Sequence, residues 1–97
     1  MIIVQDIFIC KPGNASKLAK LFKEIMNGRP EHVNILTGVS GEFNKVIMLS
    51  KYESMTAYEH SYEEYMQDAE EVKIIKEKMK GYHEMYDTGS REIYQIW

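Results

Sequence analysis

Ile2-Ile3-Val4-Gln5-Asp6-Ile7-Phe8-Ile9-Cys10 is the stretch whose reading decides the fold. It is rich in isoleucine, is stopped by Lys11-Pro12-Gly13, and reads as a β-strand. Successive strand side chains point to opposite faces. Ile3, Gln5, Ile7 and Ile9 therefore share one face, and Ile2, Val4, Asp6, Phe8 and Cys10 the other. Apolar residues on both sides imply that both faces are covered. One layer of helices covers one face only. A second copy of the chain, packed sheet to sheet, is the expected cover for the other.

Outward from this strand, Pro12-Gly13-Asn14 is a turn, with Asn14 or Ser16 able to cap a helix. Ala15, Leu18, Ala19, Phe22, Ile25 and Met26 recur at helical spacing, with lysines elsewhere on the cylinder. Asn27-Gly28-Arg29-Pro30 stops that helix. A second strand is expected over Glu31–Ser40, a hairpin loop at Ser40-Gly41-Glu42, and a third strand over Phe43–Tyr52. The dense run Val46-Ile47-Met48-Leu49 suits a central strand.

Ser54 or Thr56 opens the next helical region, and Thr56 with Glu59 fits a capping box. Met55, Tyr58, Tyr62, Tyr65, Ala69, Val72, Ile75, Met79, Tyr82 and Tyr86 then keep one stripe. An unbroken helix of about 32 residues would run about 48 Å, whereas a nine-residue strand spans only about 30 Å. A break is therefore expected near Gln67-Asp68. Asp87-Thr88-Gly89 is read as closing the region, and Arg91–Trp97 as the last strand. The order is β-α-β-β-α-β: a ferredoxin-like α+β domain over residues 1–97, with a four-stranded antiparallel sheet and its helices on one face.

Composition narrows the function classes. The chain has 97 residues, 44% hydrophobic and 28% charged, which are ordinary globular values. Its formal charge of −3 divides into +3 over residues 1–52 (seven Lys/Arg, four Asp/Glu) and −6 over residues 53–97 (five against eleven). No basic stripe points to nucleic acid. The apolar runs are too short to cross a bilayer, and Met1-Ile2-Ile3-Val4 lacks the basic start of a signal peptide. A cytoplasmic protein with no membrane or nucleic-acid partner is expected. Cys10 is the single cysteine, so no intrachain disulfide framework and no multi-cysteine metal site is anticipated.

Met1-Ile2-Ile3-Val4 leading to Lys11-Pro12-Gly13 and an amphipathic helix resembles the dimeric α/β-barrel superfamily. Leu49-Ser50-Lys51-Tyr52-Glu53-Ser54 followed by Ala57-Tyr58 is similar to the strand-to-helix junction of its antibiotic-biosynthesis-monooxygenase-like and NIPSNAP-like domains. Arg91-Glu92-Ile93-Tyr94 looks like the NIPSNAP-type final strand. The resemblance implies a dimeric α/β barrel. It leaves the chemistry open among cofactor-free monooxygenases, haem-degrading enzymes and small-ligand isomerases. The haem-degrading pattern places an asparagine, a tryptophan and a histidine where this chain has Asp6, Ser61 and Glu71. All three depart from it, and haem iron would lack an axial imidazole.

Asp6 is the oddest residue, a carboxylate mid-strand on the face turned to the helices. It is either a pocket base whose pKa burial raises, or an acid bonded to a hydroxyl such as a tyrosine. Tyr58, Tyr62, Tyr65, Tyr82 and Tyr86 form a stripe in which each buried hydroxyl needs a partner. They are read as the wall of an aromatic-binding pocket or as core packing with wet tips. His83-Glu84 with Asp87 lacks the second imidazole of a zinc helix, so no metal is expected. His32 is a candidate pocket residue, and His60 a solvated one. Lys11 beside Cys10 would lower a thiol pKa, but a buried structural thiol is the preferred reading.

Two functions follow. One is a small-molecule-binding homodimer acting as a cofactor-independent monooxygenase on a small aromatic or quinol-type compound. In it Asp6 accepts a proton, His83 assists, and Tyr58, Tyr62, Tyr65, Tyr86 and His32 bind the ligand. The other is a non-catalytic ligand-binding or assembly module.

Overall fold

The computed structural model describes residues 1–65 and 70–97; the side chains of Tyr65 and Glu71 also fall outside the description. Strands β1 (Ile2–Cys10), β2 (His32–Thr37), β3 (Lys45–Tyr52) and β4 (Tyr86–Gln95) form one sheet in the order β2-β3-β1-β4. Every neighbouring pair is antiparallel. Helix α1 (Ala15–Met26) joins β1 to β2, and α2 (Met55–Tyr65), α3 (Glu70–Lys78) and a 3₁₀ turn (Tyr82–Met85) join β3 to β4. This is the ferredoxin-like α+β arrangement.

The register of β1 sets which residues face the helices. Val4 stands opposite Ser50 and Ile93, Asp6 opposite Met48 and Arg91, and Phe8 opposite Val46 and Gly89. Against this face α1 buries Leu18 and Phe22 completely, and these join Cys10 and Val46 in the core. Aromatic rings extend it: Phe8 lies 5.1 Å from Phe22 and 4.9 Å from Tyr86 between ring centroids, within the range for tilted and edge-on pairs.

The opposite face carries Ile3, Ile7, Ile9, Ile47 and Leu49, half-buried among their own sheet neighbours, with Leu36 and Tyr94 exposed. None of these seven belongs to the core cluster. The division of β1 into a helix side and an open side thus follows the two-residue period of its sequence.

Several boundaries differ from the sequence reading. β2 stops at Thr37 rather than Ser40, and β3 starts at Lys45 rather than Phe43. Between them the chain turns through Gly41 (φ 95°) and Asn44 (φ 61°), conformations outside a ladder, and Val39 and Phe43 project into solvent. Helix α2 is opened by Ser54, whose Oγ accepts a bond from the Ala57 N–H at 3.1 Å. Thr56 lies inside the helix, so the Thr56–Glu59 capping box does not form its start. Asn14 occupies the N-cap of α1 but without a side-chain cap bond.

The long stripe is carried by two helices, and the break expected at Gln67-Asp68 falls outside the described residues. Its far end is corrected. Gly81, at φ 83°, is a left-handed stop after α3. The 3₁₀ turn then redirects the chain, so Tyr86 pairs with Cys10 as the first residue of β4 instead of continuing a helix. Asp87-Thr88-Gly89 is accordingly strand rather than closing loop. Gly89 fits there because a β-carbon would approach the Tyr86 ring at 3.3 Å and the Phe8 ring at 3.6 Å.

Candidate functional site

A half-open cleft of about 310 Å³ lies between the helix side of the sheet and the helices. This is the lower end of the size range of small-molecule sites, roughly 300–1,000 Å³. The sheet supplies its floor. Asp6 projects from the middle of β1, flanked by Met48 on β3 and Arg91 on β4.

Asp6 is buried, with 9% of its surface exposed. Its partner is Arg91, the residue directly opposite it on β4: Nε donates to Oδ1 at 2.5 Å. The guanidinium then lies over the Tyr58 ring, 5.8 Å from its centroid, within cation–π range. Burial by itself would lower the Arg91 pKa, but the hydrogen bond and charge of Asp6 outweigh it, and the net shift is upward. Arg91 is a permanent cation. The sequence reading offered Asp6 a hydroxyl partner; the structure gives it a guanidinium.

Above this pair stand the phenols. Tyr58 and Tyr62, one helical turn apart on α2, both line the cleft, as does Tyr52 at the end of β3. Tyr52 and Tyr58 meet edge-on at 5.1 Å. Burial raises the Tyr58 pKa, with Arg91 opposing it, and burial also raises that of Tyr52, opposed by a hydrogen bond with Ser61. Both phenols keep their protons at neutral pH. A second ion pair closes the same end: Arg29 Nε donates to Glu31 Oε1 at 2.8 Å, and both residues line the cleft. At the other end, toward Phe8, the wall is Phe22, Met79 and Tyr82.

The other sequence candidates sit elsewhere. His83 is exposed, stacks on Tyr82 with ring centroids 4.0 Å apart, and has Nδ1 3.3 Å from the Tyr86 hydroxyl. Neither His83 nor Tyr86 lines the cleft; Tyr86 packs against the core beside Phe8. His32 does not line it either. A register shift between His32 and Asn34 sets it opposite Ser50, and its Nδ1 is buried with no hydrogen-bond partner among the described residues. The side chain of Tyr65 lies outside the described residues. Cys10 is buried, in line with the preferred reading of a structural thiol, and desolvation followed by the charge of Asp87 raises its pKa. Among the described residues, no three His, Cys, Asp or Glu gather as metal ligands, and no helix is long and apolar enough to cross a membrane.

Sequence reasoning missed Arg91 and Arg29. One signal was available: they are the chain's two arginines, and a carboxylate inside a strand requires a cation or donor. Removing the Arg91 guanidinium leaves Asp6 buried and unpaired. Breaking a fully buried pair costs about 3–5 kcal/mol. The Arg91 side chain is 48% exposed, and water reaches it, so Arg91→Ala is expected to cost about 1–2 kcal/mol once screening is allowed for. Chemical denaturation checks this, and Asp6→Asn in the same background should recover part of the loss.

No family model and no curated protein matches this sequence. Solved structures do. An uncharacterized NIPSNAP domain protein from Burkholderia xenovorans superposes with a TM-score of 0.78 at 11% identity, over 100% of this chain and 95% of that one. A NIPSNAP family protein from Agrobacterium tumefaciens gives 0.77 at 13% identity, over 99% and 85%. The fold is that of the NIPSNAP-domain and antibiotic-biosynthesis-monooxygenase-like proteins. A member of the second group from Deinococcus radiodurans gives 0.61 at 11% identity, over 100% of this chain and 93% of that one. At these identities the likeness establishes the architecture, and the chemistry has to be argued from the cleft itself.

Proposed function

We propose that this protein is a cytoplasmic homodimer that binds a small, partly aromatic organic molecule in the cleft between its sheet and its helices. The observation that carries the reading is the cleft's lining. Apolar and aromatic walls surround a few polar groups fixed in place: the Asp6–Arg91 pair and the Tyr52, Tyr58 and Tyr62 phenols. That combination of greasy surface and sparse, oriented donors is the usual makeup of a ligand site. The dimer follows from the open sheet face, whose isoleucines and Leu49 lie outside the core of a single chain.

A second reading is cofactor-independent oxygenation, favoured by the cleft's reach to Asp6 and by the monooxygenase-like proteins that share the fold. In that reading the second carboxylate oxygen of Asp6 takes a proton from a quinol-type substrate held by Tyr58 or Tyr62. A ring carbon of the resulting anion bonds dioxygen; the peroxide takes back the proton held by Asp6, and its O–O bond breaks as the same carbon loses its hydrogen, leaving one oxygen on the substrate as a carbonyl and releasing the other as water. The firm Asp6–Arg91 pair favours binding over this base role, because one oxygen is already engaged.

Amide chemical-shift mapping with naphthol and a naphthohydroquinone, alongside oxygen-uptake measurements, tests both readings. Shifts at Met48, Tyr58 and Arg91 without oxygen uptake are expected for a binding protein. Uptake that Asp6→Asn abolishes would establish the enzyme. An absence of shifts in the cleft with any such compound would refute the small-molecule reading.

A further inference from the structure

Four side chains on the helix face of β1 and β3 make a square in the cleft floor. Val4 stands opposite Ser50, and Asp6 opposite Met48. All four line the cleft. The two polar residues therefore lie on one diagonal and the two apolar residues on the other. Diagonal neighbours of an antiparallel pair stand roughly 7–8 Å apart. That is too far for two short side chains to bond each other, and close enough for one ring to bridge them. Arg91 meets Asp6 from β4, the strand on the other side of β1 from Ser50.

Ser50 is the residue that the fold does not account for. By the two-residue period it shares the helix face of β3 with Val46, Met48 and Tyr52. The Tyr52 hydroxyl has a partner in Ser61. Ser50 is 4% exposed, yet its hydroxyl makes no hydrogen bond among the described residues. Leaving a buried hydroxyl unpaired is unfavourable, and native proteins do so for a reason. Nor is the hydroxyl sealed in. Among the described residues, the side-chain atom that is both shut off from solvent and unpaired is His32 Nδ1. The Ser50 hydroxyl is therefore open to the cleft that its residue lines. Asp6 also has capacity to spare. A carboxylate has about four acceptor sites, and Arg91 Nε supplies one bond. Both residues are more than nine-tenths buried.

We infer that Ser50 is a ligand-binding residue, and that the ligand is a neutral aromatic compound with two oxygens on one ring edge. One is a hydroxyl that donates to Asp6. The other, a hydroxyl or a carbonyl, accepts from Ser50. This rests on the cleft being a small-molecule site, as proposed above, and adds the number and placing of the ligand's polar groups. Neutrality follows from the ion pair: Arg91 already balances Asp6, so the pair leaves no net charge for an ionised ligand to match. The ring then covers the apolar diagonal, Val4 and Met48.

Calorimetric titration of the purified protein with naphthol and with naphthoresorcinol tests this. The first has one hydroxyl; the second has two on the same ring, with a single carbon between them. The parent protein is expected to bind naphthoresorcinol about fivefold more tightly, the worth of one further neutral hydrogen bond. Ser50→Ala should abolish that preference and leave naphthol unchanged, because a single hydroxyl goes to the charged acceptor, Asp6. A urea melt adds a readout that a structural serine would move: removing an unpaired hydroxyl should leave the midpoint in place or raise it. Equal binding of the two compounds by the parent, a preference that survives in Ser50→Ala, or a lower midpoint for that variant would overturn the inference, while binding of naphthol would keep the cleft a site. Failure of both compounds to bind would overturn the site itself.

Discussion

Phe22→Ala is expected to lower the stability of this protein by about 3–4 kcal/mol, within the range measured for buried phenylalanine truncations. Phe22 is 2% exposed and touches both halves of the core. It packs on Phe8 from the sheet, with Tyr82 6.5 Å away from the 3₁₀ turn. Loss of its ring removes both contacts and leaves a void between α1 and β1. A domain of this size is stable by only about 5–15 kcal/mol in total. The change should therefore be evident in a urea melt as a lower midpoint with little change in slope. The same ring walls the cleft, so the void would open into the proposed ligand site. A second effect follows: Phe22→Ala should bind larger ring systems than the parent does. A loss of under 1 kcal/mol would mean that α1 does not anchor the sheet as described.

Ile7→Glu is expected to abolish the proposed dimer and leave a monomer at micromolar concentration. Ile7 lies mid-strand on β1, paired with Ile47 on one side and Ser90 on the other, on the face away from the helices. In a twofold dimer the substitution acts twice. Full burial of an isoleucine stabilises by about 1.5–3 kcal/mol. Ile7 is already half-buried in one chain, so roughly half of that counts per copy, about 1.5–3 kcal/mol for the pair. Two carboxylates brought into an apolar interface add to the cost. Together these give at least about a hundredfold weaker association. Sedimentation velocity reads the change directly. The fold should persist by circular dichroism, because Ile7 is no part of the core cluster. A parent protein that sediments as a monomer at that concentration would refute the dimer.

The ferredoxin-like order was legible because its signals are local. Isoleucine-rich β1, the amphipathic α1 with Gly28 and Pro30 behind it, and the compact run Val46–Leu49 each carry their own period and stop signals. The alternation in β1 also assigned Asp6 to the helix side, and it does lie there. Errors arose where a local pattern was continued past a backbone event. The stripe of tyrosines ran on to Tyr86, but Gly81 ends the helix and the 3₁₀ turn hands Tyr86 to a strand. Val39 and Phe43 are strand-forming residues that the loop around Gly41 excludes from pairing.

The candidate site was half legible. Asp6, Tyr58 and Tyr62 were named from the sequence and meet in one cleft, whereas His83, Tyr86 and His32 do not reach it. Composition, alternation and turn chemistry determined the elements, their order and the presence of an odd carboxylate on an apolar strand. Only the tertiary structure decided that Arg91, 85 positions away, would be its partner. β1 and β4 are the first and last strands, with no hairpin between them to set their register. That register comes from how the whole core packs, and a slip of one residue would turn Arg91 to the opposite face of the sheet.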